Sequence, residues 1–354
     1  MAAKNPALAE ASPIAEPPPP AMTKKSPSLP SNAKAAEAVA EKARRMQQAQ
    51  DARDGQVSKA ASSSKAAPGP GHEEPAPPLP AQHLAKPGVE AELQLAPRFE
   101  AKDYRGSGKL EGFCALVTGA DSGIGRAVAV LFARERADVA VLYLNEHQDA
   151  KETQRHIEAE GRRCLLISGD VKDRRFSRSA VDKVVAEFGK LDVLVNNAAF
   201  QLHADKLEDL SEERFDETFK TNIYGYFHMA QAALPHLPRG GCIVNTGSVT
   251  GMAGNATLLD YSATKGAIHA FTMSLAKNLA PRGIWVNAVA PGPVWTPLNP
   301  ADKPAREVAK FGQDTDLGRP AQPEEIAPAY VFLASPVCSS YITGIVLPIT
   351  GSVG

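Results

Sequence analysis

The chain has 354 residues, which is enough for one large domain or two small ones. Its 39 basic and 40 acidic side chains nearly balance, so the charge does not favour nucleic acid or an anionic membrane surface as the main partner. No stretch approaches the apolar run of about 20 residues that a transmembrane helix needs, and the first residues lack the apolar core of a signal peptide. We therefore expect a cytoplasmic protein. Targeting to an organelle by the N-terminal segment stays open as the alternative.

The N-terminal segment differs in composition from the rest of the chain. Phe99 is the first aromatic residue, and the sequence before it consists mainly of low-complexity runs of Ala, Pro, Ser, Lys, Glu and Gln. Such a composition offers too little apolar surface to offset the entropy lost on ordering. We predict a disordered extension over residues 1–97, whose removal leaves catalysis intact, and a folded domain over residues 98–354. Within the extension, residues 31–55 favour a helix, either frayed on a solvated linker or folded on a partner.

From about residue 109 onward, short apolar runs alternate with segments of helical period. The apolar runs are rich in Val, Ile and Leu and hardly alternate in polarity, which is typical of parallel strands covered on both faces. This order predicts an α/β fold, a single Rossmann-type doubly wound parallel sheet of about seven strands with helices on both faces. The four cysteines lack metal-ligand spacing, so we expect reduced thiols and no metal site. Predicted strands cover 113–118, 138–144, 164–168, 191–196, 242–246, 285–290 and 345–349, and predicted helices lie near 124–136, 147–160, 175–188, 212–236, 259–280 and 323–334.

A glycine-rich segment lies between the first predicted strand and the first predicted helix. Gly119 permits a tight turn, and Gly123 and Gly125 let the backbone and the helix approach a pyrophosphate closely. A bound anion there would meet free N–H groups and the positive end of the helix dipole. A tight turn without a ligand would also explain the glycines, but their position between strand and helix favours a dinucleotide site.

The spacing Gly-x3-Gly-x-Gly after Thr118 resembles the classical short-chain dehydrogenase/reductase family. Ordered motifs carry the resemblance through the rest of the chain: Asp170-Val171, Asn196-Asn-Ala-Ala199, Asn222, Ser248, Tyr261, Lys265 and Pro291-Gly292. The segments Asp121-Ser122, Tyr143-Leu-Asn-Glu146 and Pro291-Gly-Pro-Val-Trp-Thr-Pro297 resemble more closely the glucose/ribitol-dehydrogenase-like and general-stress-protein-like subgroup. Ala199 departs from the family pattern, because glycine is usual there.

The resemblance implies a nicotinamide cofactor, either NAD or NADP, and a homodimer or homotetramer. It puts Asn222, Ser248, Tyr261 and Lys265 at the catalytic positions. The cofactor contacts that it implies are Gly119, Asp121, Ser122, Gly123, Ile124, Gly125, Tyr143, Asn145, Asp170, Val171, Asn197, Ala198, Ala199, Tyr261, Lys265, Pro291, Gly292, Val294 and Thr296.

The catalytic positions suit proton and hydride transfer. An unperturbed Tyr ionises near 10 and is a poor base at neutral pH, but a cation within about 4–6 Å lowers its pKa, and Lys265 follows Tyr261 by one helical turn. Ser248, after a predicted strand, can hydrogen-bond a carbonyl oxygen as charge develops there, and the family uses Asn222 to hold a water in a proton relay. Each of these residues also has an explanation without catalysis. Tyr261 and Lys265 alone would be a surface pair, Ser248 a turn serine and Asn222 a capping or surface amide. Their occurrence together and in order favours a catalytic set.

The choice between NAD and NADP depends on the residues after the second strand. Tyr143 occupies the position at which an acidic side chain would bind a ribose 2′-hydroxyl. The deciding position therefore carries neither a clear acid nor an Arg. Ser122 stands where phosphate-using relatives often carry a basic residue. The missing positive charge favours NAD, and Asn145 suits either cofactor.

The leading hypothesis is a hydride-transferring oxidoreductase that acts on a small alcohol, sugar, polyol or carbonyl compound. A 3-oxoacyl-thioester reductase would use the same four groups, and a non-catalytic NAD(P)-binding scaffold or redox sensor is the alternative from another class. Residues 299–313 lie where relatives carry a mobile substrate lid. Trp295 either lines the substrate pocket or packs, and His203 and His269 receive no role.

Overall fold

The structure is a computed structural model that describes residues 32–55 and 74–352. The predicted extension falls partly on residues 1–31 and 56–73, which lie outside the described residues. Of the helices within the described ranges, none is long and apolar enough to cross a bilayer.

Seven parallel strands form one sheet. The strands are β1 (Cys114–Thr118), β2 (Asp138–Tyr143), β3 (Cys164–Ser168), β4 (Val193–Asn196), β5 (Cys242–Thr246), β6 (Trp285–Pro291) and β7 (Val346–Ile349). Their order is β3-β2-β1-β4-β5-β6-β7, which confirms the predicted doubly wound sheet. Strands β1, β2, β4 and β5 are buried along their whole length, as expected for strands covered on both faces. The strand order reverses between β1 and β4, and this reversal opens a crevice at the carboxyl ends of the strands.

Helices cover both faces of the sheet. They are α1 (Asn32–Asp54), α2 (Gly123–Arg134), α3 (His147–Ala159), α4 (Arg174–Phe188), α5 (Glu212–Phe219), α6 (Gly225–Ala233), α7 (Thr250–Ala253), α8 (Leu259–Leu279), α9 (Ala305–Val308), α10 (Pro323–Ala334) and α11 (Pro336–Ser339). Helices α2, α3 and α10 pack on one face, and α4, α6 and α8 on the other. The helix predicted over 212–236 is interrupted by a π-helical turn at Lys220–Tyr224, which separates α5 from α6.

The described part of the N-terminal segment packs on the sheet domain. We call residues 32–55 and 74–97 the arm. Gln47 on α1 donates from Nε2 to the carbonyl oxygens of Leu84 (2.7 Å) and Ala301 (3.1 Å), and the N–H of Leu84 donates to the carbonyl of Pro300 (2.9 Å). The prediction of a disordered extension over residues 1–97 is therefore wrong for the arm.

The composition of the arm was misleading because composition measures only the core that a segment can build by itself. The few leucines of the arm find their apolar neighbours on the domain, in the loop between β6 and α10. Trp295 in this loop is fully buried and donates from Nε1 to the carbonyl of Leu95 (2.9 Å), so its role is packing. The shared cluster consists of Leu79, Leu84, Leu93, Trp295, Ala301 and Val308.

Leu84→Ala tests the packing of the arm. Leu84 is 4% exposed in the shared cluster, and truncation of a buried leucine costs about 2–5 kcal/mol of unfolding free energy. Leu207→Ala is the matched control, because Leu207 is 69% exposed and its change is expected to stay within about 0.5 kcal/mol. Urea unfolding of both variants is the measurement. Equal stability of the two variants would contradict the packed arm.

Candidate active site

A cavity of about 760 Å³ opens at the carboxyl ends of the strands. Most residues predicted for the site border this cavity, whereas Gly125, Asn145 and Asn222 do not. The predicted residues that border it are Gly119, Asp121, Ser122, Gly123, Ile124, Tyr143, Asp170, Val171, Asn197, Ala198, Ala199, Ser248, Tyr261, Lys265, Pro291, Gly292, Val294 and Thr296.

The glycine-rich loop has the geometry of an anion site. Gly119 and Gly123 adopt φ angles of +62° and +51°, in the left-handed region that favours glycine. A Cβ on Gly125 would lie 2.0 Å from the carbonyl oxygen of Gly119, so only glycine lets α2 begin this close to β1. In the first turn of α2, the N–H groups of Gly123 and Arg126 have acceptors, whereas those of Ile124 and Gly125 have none among the described residues. Two free donors therefore stand at the positive end of the helix dipole, which fits a phosphate group.

The arm supplies the acceptor for Gly123. Glu90 Oε2 accepts a hydrogen bond from the N–H of Gly123 (2.7 Å), and Oε1 pairs with the guanidinium of Arg126. Burial raises the pKa of Glu90 to about 7, and the charge of Arg126 opposes this rise. Because Arg126 balances the carboxylate, Glu90 holds the loop without adding net charge beside the phosphate position. Sequence reasoning missed Glu90, since nothing in its low-complexity surroundings distinguishes it.

A threonine hydroxyl joins the ends of β1 and β4. Thr118 Oγ1 accepts hydrogen bonds from the N–H groups of Asn197 (2.9 Å) and Ala198 (3.0 Å). Asn197 Nδ2 donates in return to the carbonyls of Thr118 (3.1 Å) and Gly119 (3.0 Å). Ala199 is not among the residues with positive φ, so alanine replaces the usual glycine without backbone strain.

Helix α8 carries Tyr261 and Lys265 one turn apart, and both side chains are buried. Lys265 Nζ donates to the carbonyl of Thr246 at the end of β5 (2.8 Å) and lies 5.2 Å from the centroid of the Tyr261 ring. The structure thus brings together the phenol and the ammonium that the sequence predicted as a pair.

Burial dominates the ionisation of both groups. It lowers the pKa of Lys265 to about 7 and raises the pKa of Tyr261 above its ordinary value, against a hydrogen bond with Ser248 that lowers it. The predicted lowering of the Tyr261 pKa by Lys265 is not found. The physical reason is that desolvation of a phenolate costs more than the attraction of an ammonium that is itself only partly protonated at neutral pH.

Ser248 lies two residues after β5. Its Oγ accepts hydrogen bonds from the N–H (3.1 Å) and the hydroxyl (3.0 Å) of Thr250, and its own N–H donates to Nε2 of His269 (3.4 Å). Burial lowers the pKa of His269 and the charge of Lys265 lowers it further, so a neutral imidazole supports the Ser248 backbone. Sequence reasoning assigned His269 no role, because its proximity to Ser248 arises only when α8 folds against β5.

Asn222 is buried in the π-helical turn, a type of turn that often marks functional sites. Its amide bonds both backbone groups of Phe200, accepting from N (2.8 Å) and donating to O (3.0 Å). It also donates to Oγ1 of Thr264 on α8 (3.0 Å). Asn222 therefore ties the loop after β4 to the helix that carries the phenol and the ammonium.

The end of β2 presents acidic side chains to the cavity. Asn145 turns away from the cavity and donates from Nδ2 to Oε2 of Glu37 on α1 (2.7 Å). Asp121 and Glu146 border the cavity beside Tyr143. Burial, with a smaller contribution from neighbouring carboxylates, raises the pKa of Asp121 to about 6 and that of Glu146 to about 8.

The other predicted contacts close the cavity from two sides. Asp170 and Val171 follow β3, and Asp170 Oδ1 accepts a hydrogen bond from the N–H of Lys172 (2.9 Å). Thr296, after β6, faces the glycine-rich loop, since a Cβ on Gly123 would lie 2.9 Å from its Cγ2.

Proteins of known family match most of the chain. A family model described as enoyl-(acyl carrier protein) reductase matches residues 119–352. General stress protein 39 of Bacillus subtilis is 52% identical over 274 residues, which cover 77% of this chain and 96% of that protein. NADPH-dependent aldehyde reductase 1 of Arabidopsis thaliana is 47% identical over 272 residues, covering 75% and 94%. Glucose and ribitol dehydrogenase of Daucus carota is 46% identical over 275 residues, covering 76% and 94%.

Solved structures share the fold. A short chain dehydrogenase from Burkholderia cenocepacia in complex with NADP is 37% identical with a TM-score of 0.64, and the match covers 69% of this chain and 98% of that chain. A short chain dehydrogenase from Mycobacterium paratuberculosis bound to NAD is 31% identical with a TM-score of 0.63 and the same coverage. The chain belongs to the short-chain dehydrogenase/reductase family and is an oxidoreductase that binds NAD(P).

Proposed function

We propose that the protein transfers a hydride between NAD(P) and a small alcohol, sugar, polyol or carbonyl compound. The observation that carries this proposal is the buried pair Tyr261 and Lys265, which borders one cavity together with Ser248. The nicotinamide cofactor, when bound, supplies or accepts the hydride. The free N–H group of Ile124, which borders the cavity, would hold one of its phosphates.

The protein's own groups then handle the proton. In carbonyl reduction, Tyr261 donates its phenolic proton to the carbonyl oxygen, and the hydroxyl of Ser248 donates a hydrogen bond to the same oxygen. In alcohol oxidation the phenolate accepts that proton, which requires a nearby positive charge, and Lys265 provides it when protonated. Asn222 acts as a positioning residue that holds the loop after β4 against α8.

Tyr261→Phe tests the proposed acid and base. We expect turnover of carbonyl compounds to fall by at least about 100-fold, because general acid–base groups contribute roughly 10²–10⁴-fold. Binding of NADH, followed by nicotinamide fluorescence, should be largely retained. Tyr341→Phe is the matched control, since Tyr341 is 102% exposed and its variant should keep the parent's kcat. Full activity of Tyr261→Phe would refute the proposed mechanism.

We propose NAD as the preferred cofactor. Among the cavity-lining residues of the glycine-rich loop and the end of β2, Asp121 and Glu146 carry carboxyl groups and no Lys or Arg is present. A carboxyl group can bind a 2′-hydroxyl, whereas an added 2′-phosphate would meet the negative charge of Asp121 and no compensating positive charge there. Fluorescence titration should give a lower Kd for NADH than for NADPH. A lower Kd for NADPH would contradict this preference. The relatives leave both outcomes open, because they include an NADPH-dependent reductase and structures with either cofactor.

The spacing of the pair and the relatives support the proposed substrate class. Enoyl reduction, named in the description of the family model, is disfavoured because relatives of that type usually space Tyr and Lys more widely than Tyr261 and Lys265. Relatives named for aldehyde, glucose and ribitol substrates support a small carbonyl or polyol. Turnover is measured on a panel of aldehydes, sugars, polyols and 3-oxoacyl thioesters. Turnover of the thioesters in preference to the other compounds would favour the 3-oxoacyl-thioester reductase.

We also propose a cytoplasmic homodimer or homotetramer. The four cysteines are free thiols, which suits a reducing compartment. Tyr224, Phe227 and Met273 are 54%, 43% and 43% exposed, on the outer faces of the π-helical turn, α6 and α8. Such apolar side chains on neighbouring helices favour an interface between copies of the chain. Sedimentation equilibrium tests the assembly, and a monomer at micromolar concentration would contradict it.

A further inference from the structure

The arm forms one wall of the active-site cavity. Of its residues, Val39, Ala43, Lys86, Pro87 and Gly88 border the cavity that also contains Tyr261 and Ser248. The arm also holds the loop between β6 and α10, through the shared leucine cluster and the hydrogen bonds of Gln47 and Leu84. Sequence-based reasoning expected this loop, residues 299–313, to be a mobile lid. In the structure the arm packs on the outer side of this loop and holds it through these contacts.

Lys86 brings a cation into this wall. Its side chain is buried, with 3% of the residue exposed. Its backbone N–H donates to Oε1 of Gln47 (2.8 Å), and this hydrogen bond holds the segment around Lys86 against α1. Its Nζ donates to the carbonyl of Gln201 (2.5 Å) and lies 5.0 Å from the centroid of the Phe200 ring.

The ammonium of Lys86 has bonding capacity left. An ammonium carries three N–H donors, and the carbonyl of Gln201 is the one acceptor that Nζ reaches among the described residues. A buried donor without an acceptor is costly. Since Lys86 borders the cavity, an oxygen atom of a molecule inside the cavity is the natural acceptor for the remaining N–H groups.

A buried carboxylate compensates the charge of Lys86. Asp302 is fully buried and accepts hydrogen bonds from Nε2 of Gln201 (2.6 Å) and from the N–H of His203 (2.7 Å). Burial alone would raise the pKa of Asp302, but His203 and Lys86 hold it well below its usual range. Burial lowers the pKa of Lys86 to about 8, against the charge of Asp302, so the amine is mostly protonated at pH 7. His203, which the sequence left without a role, therefore orients the counter-ion of Lys86.

We propose that Lys86 is a specificity-determining residue, which hydrogen-bonds a hydroxyl oxygen of a polyhydroxylated substrate. The charge of Lys86 is already balanced by Asp302, and the loop between β6 and α10 brings charges of both signs to the cavity, Lys303 and Lys310 as well as Glu307 and Asp314. A fully anionic group would therefore find no unbalanced positive charge on this wall, whereas a hydroxyl group can accept from Lys86 and donate to a carboxylate. This assignment rests on the proposed function and names the kind of carbonyl compound that it prefers.

The test compares matched aldehydes with and without hydroxyl groups. In the full-length protein with NADH, kcat and KM are measured for glyceraldehyde against propanal and for erythrose against butanal. Lys86→Gln removes the charge but keeps a polar group that can reach Gln201, and Lys86→Met removes both. A lost hydrogen bond to a charged group corresponds to about 10–100-fold. We therefore expect the ratio of kcat/KM for hydroxylated over plain aldehydes to fall by that factor, mainly through KM, while NADH still binds.

Lys102→Gln is the matched control, because the Lys102 side chain is 78% exposed; its variant should keep the parent's ratio. An unchanged ratio in Lys86→Gln overturns the inference, as does an equal loss for both aldehyde types. If the variants fail to fold, the test uses the unmodified protein alone. Equal kcat/KM values for hydroxylated and plain aldehydes in that protein overturn the inference. Turnover without that preference leaves the proposed function standing. A protein that reduces no carbonyl compound refutes the proposed function and the inference together.

Discussion

The site depends on how a desolvated ammonium is satisfied. A buried cation is costly unless it is hydrogen-bonded, and the carbonyl of Thr246 accepts from Lys265 Nζ at 2.8 Å. The same carbonyl accepts from the hydroxyl of Tyr226 on α6 (3.1 Å), and the Thr246 hydroxyl is 2.7 Å from that of Tyr330 on α10. One residue at the end of β5 thus fixes helices from both layers around the phenol. This arrangement explains why the amine of Lys265 can stand beside Tyr261 although both side chains are buried.

The arm gives the cavity a second set of supports. Glu90 holds the first turn of α2 on the phosphate side, and Lys86 holds the loop after β4 on the other side. Both are buried charged residues with a partner of opposite sign nearby, Arg126 for Glu90 and Asp302 for Lys86. Such groups are tolerated in a protein interior when they are paired and hydrogen-bonded. The catalytic domain and its N-terminal segment therefore share one site.

The doubly wound parallel sheet and the proximity of Tyr261 and Lys265 were predictable because their sequence signals are local and periodic. The strands are short apolar runs between helical segments, and Tyr261 and Lys265 follow a glycine-rich loop whose spacing has a physical cause. The π-helical turn around Asn222 was not predictable, since its residues continue a helical pattern. Glu90 and Lys86 were missed for another reason. Their roles depend on contacts with residues far along the chain, and the composition around them is typical of disorder.

The direction in which the pKa of Tyr261 shifts could not be predicted from the sequence either. Spacing predicts that Lys265 is near, but only the folded structure reveals that both groups are desolvated, and desolvation opposes both charged forms. The phenol of Tyr261 is thus protonated at neutral pH, as the proposed donation to a carbonyl oxygen requires.

The proposed mechanism requires that Tyr261 protonate a carbonyl oxygen while the carbonyl carbon receives the hydride. The most direct measurement is a single turnover of an α,β-unsaturated aldehyde with NADH that carries deuterium at both C4 positions, with the product analysed by mass spectrometry and NMR. Carbonyl reduction gives an allylic alcohol with one deuterium on the carbinol carbon, and this is the product that we expect. Deuterium on the β-carbon of a saturated aldehyde, as enoyl reduction would give, would contradict it.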